Sequence, residues 1–87
     1  MWFIYLLRCA DNSLYIGETG DLAFRLAKHN DGSASGFTAP RRPVALVYSE
    51  ECATRDEALK RGRQLKGWTR AKKEALVSGD LAKLKVL

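Results

Sequence analysis

The chain has 87 residues and a net charge of +5, with 46% hydrophobic and 29% charged side chains. That length allows a single domain over residues 1–87, and that balance is globular rather than disordered. Two distant cysteines (Cys9 and Cys52) and one histidine are too few for a zinc cluster and fit reduced thiols in a cytoplasmic protein. No apolar stretch approaches the roughly 20 residues of a membrane helix, and Met1–Leu7 lacks the basic flank of a signal peptide.

Trp2–Cys9 reads as a strand, rich in aromatic and branched residues and free of Gly and Pro; Ser13–Glu18 reads as a second. The turn between them decides which side chains share a face. A two-residue loop puts Tyr5 and Tyr15 on opposite faces. A three-residue loop with Asn12 in the left-handed region pairs Cys9 with Ser13, Leu7 with Tyr15 and Tyr5 with Gly17. Both tyrosines then share one face, and Ile4, Leu6, Leu14 and Ile16 make the other cleanly apolar. That clean apolar face favours the three-residue loop.

Asp21 is a suitable N-cap for a helix with two stripes, Leu22/Leu26 and Arg25/His29, stopped by Asn30-Asp31-Gly32. Residues 31–42 read as a loop ending in Pro40-Arg41-Arg42-Pro43, and Val44–Ser49 as a third strand. Thr54 and Glu57 form a capping-box pattern before a helix reaching about Lys66, with Ala58, Leu59 and Leu65 available for a core. Gly67-Trp68 breaks it. Thr69 or Arg70 starts another helix to Val77, ended by Ser78-Gly79, and Asp80 caps a last short turn carrying Leu81, Leu84 and Leu87. The order β-β-α-β-α-α is an α+β class: a small three-stranded, mostly antiparallel sheet flanked by helices.

The charge is uneven. Residues 1–50 hold five basic and five acidic side chains, so the whole excess lies in residues 51–87. Lys60, Arg61, Arg63, Lys66, Arg70, Lys72 and Lys73 follow one another with no acid between them. Such a density attracts nucleic-acid phosphate through counterion release. The bland alternative is a solvated helix face, and the lack of interleaved acids for i,i+4 pairs weighs against it. Trp68, beside Gly67, reads as a packing anchor rather than a base-stacking platform.

Several motifs together carry a resemblance. Phe3-Ile4-Tyr5, then Tyr15-Ile16-Gly17, then Asp21-Leu22 with Arg25-Leu26 and His29-Asn30 resemble the GIY, YIG and DLxxRLxxHN motifs of GIY-YIG nucleases. Thr38, Arg41-Arg42-Pro43, Leu46-Val47-Tyr48, Glu57-Ala58-Leu59 and Gln64–Trp68 are similar to the short stand-alone bacterial members. The resemblance covers nearly the whole chain. It implies hydrolysis of a DNA phosphodiester with one divalent metal, Mg²⁺ or Mn²⁺; the Tyr5, Tyr15 and Arg25 set together with the basic C-terminal helices motivates action on branched, nicked or otherwise structured DNA.

On that resemblance Tyr5, Tyr15, Arg25 and His29 are the candidate catalytic residues. Arg25 can bind the scissile phosphate bidentately. A tyrosine can take a proton from water only if its pKa falls well below about 10, which guanidinium neighbours favour. Gly17, opposite Tyr5, leaves room for a nucleic-acid backbone, and the seven basic residues from Lys60 to Lys73 would bind substrate. Without the resemblance, a strand tyrosine is usually packing and a helix arginine usually a solvated charge. His29 could order a phosphate or simply favour the helix end.

One position departs. The family's metal-binding Glu falls at Gly62, which supplies no oxygen ligand. Glu18, directly after Gly17, is the replacement candidate; Glu57 is taken by its capping role. Three readings follow: a metal-dependent endonuclease, a non-catalytic nucleic-acid-binding module, or a protein whose partner chain completes the site.

Overall fold

The computed structural model describes residues 1–86, without the side chains of Leu81 and Val86. Leu87, read above as part of the last turn, lies outside the described residues. Strands β1 (Trp2–Arg8), β2 (Leu14–Thr19) and β3 (Ala45–Cys52) form one sheet in the order β2-β1-β3, antiparallel throughout. The helices are α1 (Leu22–Asp31), α2 (Arg55–Lys66), α3 (Arg70–Ser78) and α4 (Leu81–Val86), with a short 3₁₀ turn at Ala39–Arg41. None of the described helices is long and apolar enough to cross a membrane.

The hairpin turn is the three-residue form. Asn12 has φ 71°, the Cys9 N–H donates to Ser13 O at 2.9 Å, and Tyr5 stands opposite Gly17 with Leu7 opposite Tyr15. The sheet therefore has two chemically distinct faces. Ile4, Leu6 and Ile16 bury against Ala58 and Leu65 of α2. Fully burying a side chain of this kind is worth about 1.5–3 kcal/mol. Tyr5, Leu7 and Cys9 pack on the other face with Val44, Tyr15, Leu22 and Leu26, which seats α1 over the tyrosines.

The caps fall where the side chains call for them. Asp21 accepts from Phe24 N, Thr54 from Glu57 N, Thr69 from Lys72 N and Asp80 from Lys83 N. Gly32 and Gly79 close α1 and α3 in the left-handed region. Glu57 differs slightly from a capping box: it reaches past Thr54 to accept from Ala53 N at 3.0 Å.

The third strand departs from expectation. It begins at Ala45 and runs to Cys52 rather than stopping at Ser49. Glu50 and Glu51 look like a strand end by composition, but Arg61 clasps Glu50 at 2.9 and 3.0 Å, so its charge is compensated within the sheet layer. Val44 precedes the strand, and Asn30 serves it instead of a strand partner, donating to Val44 O at 3.1 Å and accepting from Val44 N at 2.8 Å. A register shift between Leu6 and Leu7 places Tyr48 opposite Leu6 but Leu46 opposite Leu7. The extra residue puts Tyr48 on the α2 side and Leu46 on the α1 side.

Candidate active site

The tyrosine face carries a buried chain of polar contacts. Tyr5 Oη lies 2.9 Å from His29 Nε2, and His29 Nδ1 lies 2.8 Å from Thr38 Oγ1. His29 is 1% exposed and Thr38 is fully buried. Each comes from a different element: Tyr5 from β1, His29 from the last turn of α1, Thr38 from the loop before the 3₁₀ turn. Arg41 fastens that loop, donating to Phe37 O at 2.7 Å and to Asp11 at 3.1 Å, while its carbonyl accepts from Ala10 N. In the sequence Thr38 belongs only to the resemblance; nothing local marks it as a partner of His29.

Tyr15 joins the cluster by packing, its ring edge-on to His29 at 5.0 Å and stacked on Phe37 at 5.9 Å. Arg41 covers the Phe37 ring at 4.0 Å. Arg25, one turn before His29, borders a narrow crevice with Tyr5, Leu22, Leu26 and Leu46. Its Nε is buried without a hydrogen-bond partner, and it has no ion-pair partner among the described residues. Asp21, the acid best placed in sequence to neutralise it, is occupied as the helix cap. A buried guanidinium nitrogen without an acceptor is costly, and a bound phosphate oxygen would supply one.

Gly17 makes room for Tyr5 itself rather than for an approaching backbone. A Cβ at position 17 would stand 2.5 Å from Tyr5 Cζ and 3.1 Å from Tyr15 Cε1. The tyrosine hydroxyl occupies the space, because pleat alternation aims Tyr5 at residue 17.

The electrostatics reverse one expectation. Burial, then the neighbouring Tyr15, push the Tyr5 phenol well above its usual 10. Arg25 acts in the opposite direction, as anticipated, but burial outweighs it. His29 is lowered below 6.5 by burial and then by the Arg25 cation, so the imidazole is neutral at pH 7. Tyr5 is therefore a protonated phenol touching a neutral imidazole.

The basic run does not form one uniform face. Arg61 pairs with Glu50 and lies over Trp68 at 5.3 Å; Arg70 pairs with Glu74 at 3.1 Å and donates to the Asn12 carbonyl. The acids absent within residues 60–73 are supplied in space by β3 and by the next turn of α3. Lys72 covers Trp68 at 4.2 Å, and Trp68 packs against the core. Lys60, Arg63, Lys66 and Lys73 have no ion-pair partner among the described residues. Lys66 and Lys73 line an open hollow of about 270 Å³ along the β2 edge, with Leu14, Tyr15, Ile16 and Phe37. At that edge the α2 layer and the tyrosine face meet.

The residues present do not build the expected Mg²⁺ or Mn²⁺ site. Among the described residues, no three His, Cys, Asp or Glu side chains come together to hold a metal. Gly62 brings no ligand, Glu57 is spent on Ala53 N, and Glu50 is held by Arg61 and Tyr48. Glu18 pairs with Ile4, not Tyr5, so its side chain leaves the sheet on the α2 side.

The GIY-YIG catalytic domain profile matches residues 1–75. A UPF0213 protein of Bacillus pumilus is 47% identical over 75 residues, covering 86% of this chain and 76% of the relative. One from Staphylococcus aureus is also 47% identical, covering 86% of this chain and 92% of the relative. The solution NMR structure of a UPF0213 protein from Bacillus halodurans superposes with a TM-score of 0.58 and 37% identity, over 90% of this chain and 84% of that one.

Proposed function

The chain belongs to the GIY-YIG catalytic domain family, a nuclease-type fold, and from that premise we propose that it hydrolyses DNA phosphodiesters at the Tyr5, Tyr15, Arg25 and His29 cluster. GIY-YIG nucleases generally depend on a divalent metal. The observation that carries the reading is Arg25, a guanidinium with a buried, unpartnered nitrogen beside the Tyr5–His29 contact. Arg25 takes the non-bridging oxygens of the phosphate. A water beside that phosphate gives a proton to Tyr5 Oη as the Tyr5 proton passes to His29 Nε2. The phenol stays neutral through this exchange, so its raised pKa is no obstacle; the positive charge ends on the imidazole. The water oxygen bonds to phosphorus, one P–O ester bond breaks, and the departing oxygen takes up a proton from solvent. Lys66 and Lys73 draw the strand along the β2 edge, and nicked or forked DNA leaves a backbone free to enter there.

Gly62 favours a second reading, a nucleic-acid-binding module on the same scaffold that does not cut. Incubation with labelled forked and nicked DNA, in Mn²⁺, Mg²⁺ or chelator, separates the two. The nuclease reading expects cleavage that disappears in Arg25→Ala, and the chelator arm reads whether that cleavage draws on a metal. Salt-sensitive binding without cleavage selects the module, and absence of binding at low salt would sink both.

A further inference from the structure

We infer that Thr38 is a positioning residue that sets the tautomer of His29, holding the proton on Nδ1 so that Nε2 is left to accept from Tyr5. Its link to catalysis rests on the hydrolytic reading above; the tautomer itself does not.

Before substrate and its water arrive, Tyr5 is 3% and His29 1% exposed, so the protons along the chain must be placed on protein partners. Tyr5, neutral His29 and Thr38 each have one hydrogen to place. In one arrangement Tyr5 O–H donates to Nε2, Nδ1–H donates to Thr38 Oγ1, and Thr38 O–H donates to the Ser35 carbonyl, a long contact at 3.5 Å. Every hydrogen then has an acceptor. In the other arrangement Thr38 donates to Nδ1 and Nε2–H donates to Tyr5 Oη. The Tyr5 O–H is then left with no other acceptor among the described residues, although Tyr5 is only 3% exposed. An unmade hydrogen bond on a buried hydroxyl costs about 1–3 kcal/mol, more than the weakness of one long contact. The first arrangement prevails.

The other neighbours of the ring agree with a neutral imidazole that accepts at Nε2. They are Arg25 on α1, a cation, and Tyr15 on β2, which meets the ring by packing. No carboxylate touches either ring nitrogen among the described residues. The loop that carries Thr38 is held by Arg41, so the hydroxyl is in place before any substrate arrives.

His29 is the only histidine in the sequence, so its ring nitrogens can be read without assignment ambiguity in ¹⁵N-labelled protein. Long-range ¹H–¹⁵N correlation at pH 7.5 (a chosen condition, about one unit above the ordinary histidine pKa) is expected to show Nδ1 protonated and Nε2 bare. Thr38→Val, which keeps the shape and removes the hydroxyl, is expected to shift the ring toward Nε2–H, and Thr38→Ser to restore the wild-type pattern. Nε2–H in the wild type overturns the proposal, as does an unchanged tautomer in folded Thr38→Val. If Thr38→Val does not fold, the wild-type spectrum alone decides. Where the wild type cleaves DNA, Thr38→Val should lower the rate about a hundredfold with DNA affinity unchanged, the scale of general-base catalysis. A switched tautomer with undiminished cleavage would deny Thr38 its positioning role. A wild type that never cleaves defeats the hydrolytic reading and leaves the tautomer result standing.

Discussion

Gly17 and Tyr5 are direct partners across the β1–β2 ladder, and the phenol lies over the glycine where any Cβ would stand. The contact couples two positions that sequence motifs treat separately. Tyr5 can reach His29 only because residue 17 has no side chain.

Gly17→Ala is therefore expected to displace the Tyr5 ring. The glycine backbone is pinned in the ladder, so the tyrosine must move, and overpacking of this kind costs about 1–3 kcal/mol. Urea titration reads the stability loss. NMR reads whether the Tyr5–His29 contact, 2.9 Å in the native site, is broken. Unchanged stability together with an intact contact would show that the strand yields instead.

Arg25→Ala should separate binding from folding. The guanidinium has no ion-pair partner to lose among the described residues, and its buried Nε is already unsatisfied. Stability should not fall, because relief of the unpartnered buried nitrogen offsets the lost packing. Affinity for nicked DNA should fall about tenfold or more, the loss of one charge-assisted contact. Arg25→Lys keeps the charge and loses the fork, so it should recover only part of the affinity. Fluorescence anisotropy at fixed salt measures both variants, and equal affinity for wild type and Arg25→Ala would remove Arg25 from the phosphate site.

Much of this arrangement could be read from residues alone because it follows from parity. Asn12 in the left-handed region implies an odd loop, and an odd loop puts Tyr5, Tyr15 and Gly17 on one face. The caps Asp21, Thr54, Thr69 and Asp80 were equally local. What escaped depends on contacts distant in sequence. Thr38 meets His29 nine residues away through a folded loop, Asn30 clips Val44, and Glu50 extends β3 by meeting Arg61. The Arg61 and Arg70 pairings likewise required the third dimension, because their acids lie outside the basic run. The raised Tyr5 pKa escapes the sequence for a related reason: neighbouring charge is visible in a motif, whereas depth of burial is not.

His29 makes stability depend on pH in a defined window. Its folded pKa is lowered below the unfolded value of 6.5, so the folded state resists protonation. The neutral ring's contribution is fully present above about 6.5 and is lost as pH falls toward the lowered folded value. Among the described residues, the groups facing the ring are Arg25 on α1, Tyr5 on β1, Tyr15 on β2 and Thr38; none is a carboxylate that could stabilise the imidazolium. Carboxylates elsewhere titrate lower. Glu74, held by Arg8 at 2.8 Å, falls to about 2, and Asp11, Asp31 and Glu50 are also lowered. Their stabilising effect persists above about 4.5 and is lost only as pH drops through their folded values. Chemical denaturation between about pH 7 and 5 should thus show a progressive loss in wild type that flattens in His29→Gln. A loss of equal slope in the variant would assign the effect to other groups.

Position 62 tests whether the scaffold can still accept a metal ligand. Gly62 is buried in α2, yet a Cβ there meets no atom within 4 Å beyond the helix's own backbone. Steric exclusion does not explain the glycine. Gly62→Ala should therefore stabilise the protein by about 0.5–1 kcal/mol through helix propensity. Gly62→Glu adds a carboxylate on the α2 stripe that carries Ala58 and Leu65, one turn before Lys66, which lines the β2-edge hollow with Tyr15. We expect Mn²⁺ to broaden the Tyr15 and His29 resonances more in Gly62→Glu than in wild type, and DNA cleavage to rise with it. Broadening without cleavage would mean that the carboxylate holds a metal out of line with the Arg25 phosphate site. Equal broadening in both proteins would mean that another carboxylate, with Glu18 the nearest in sequence to the motif, already serves; in that case Glu18→Gln should abolish it.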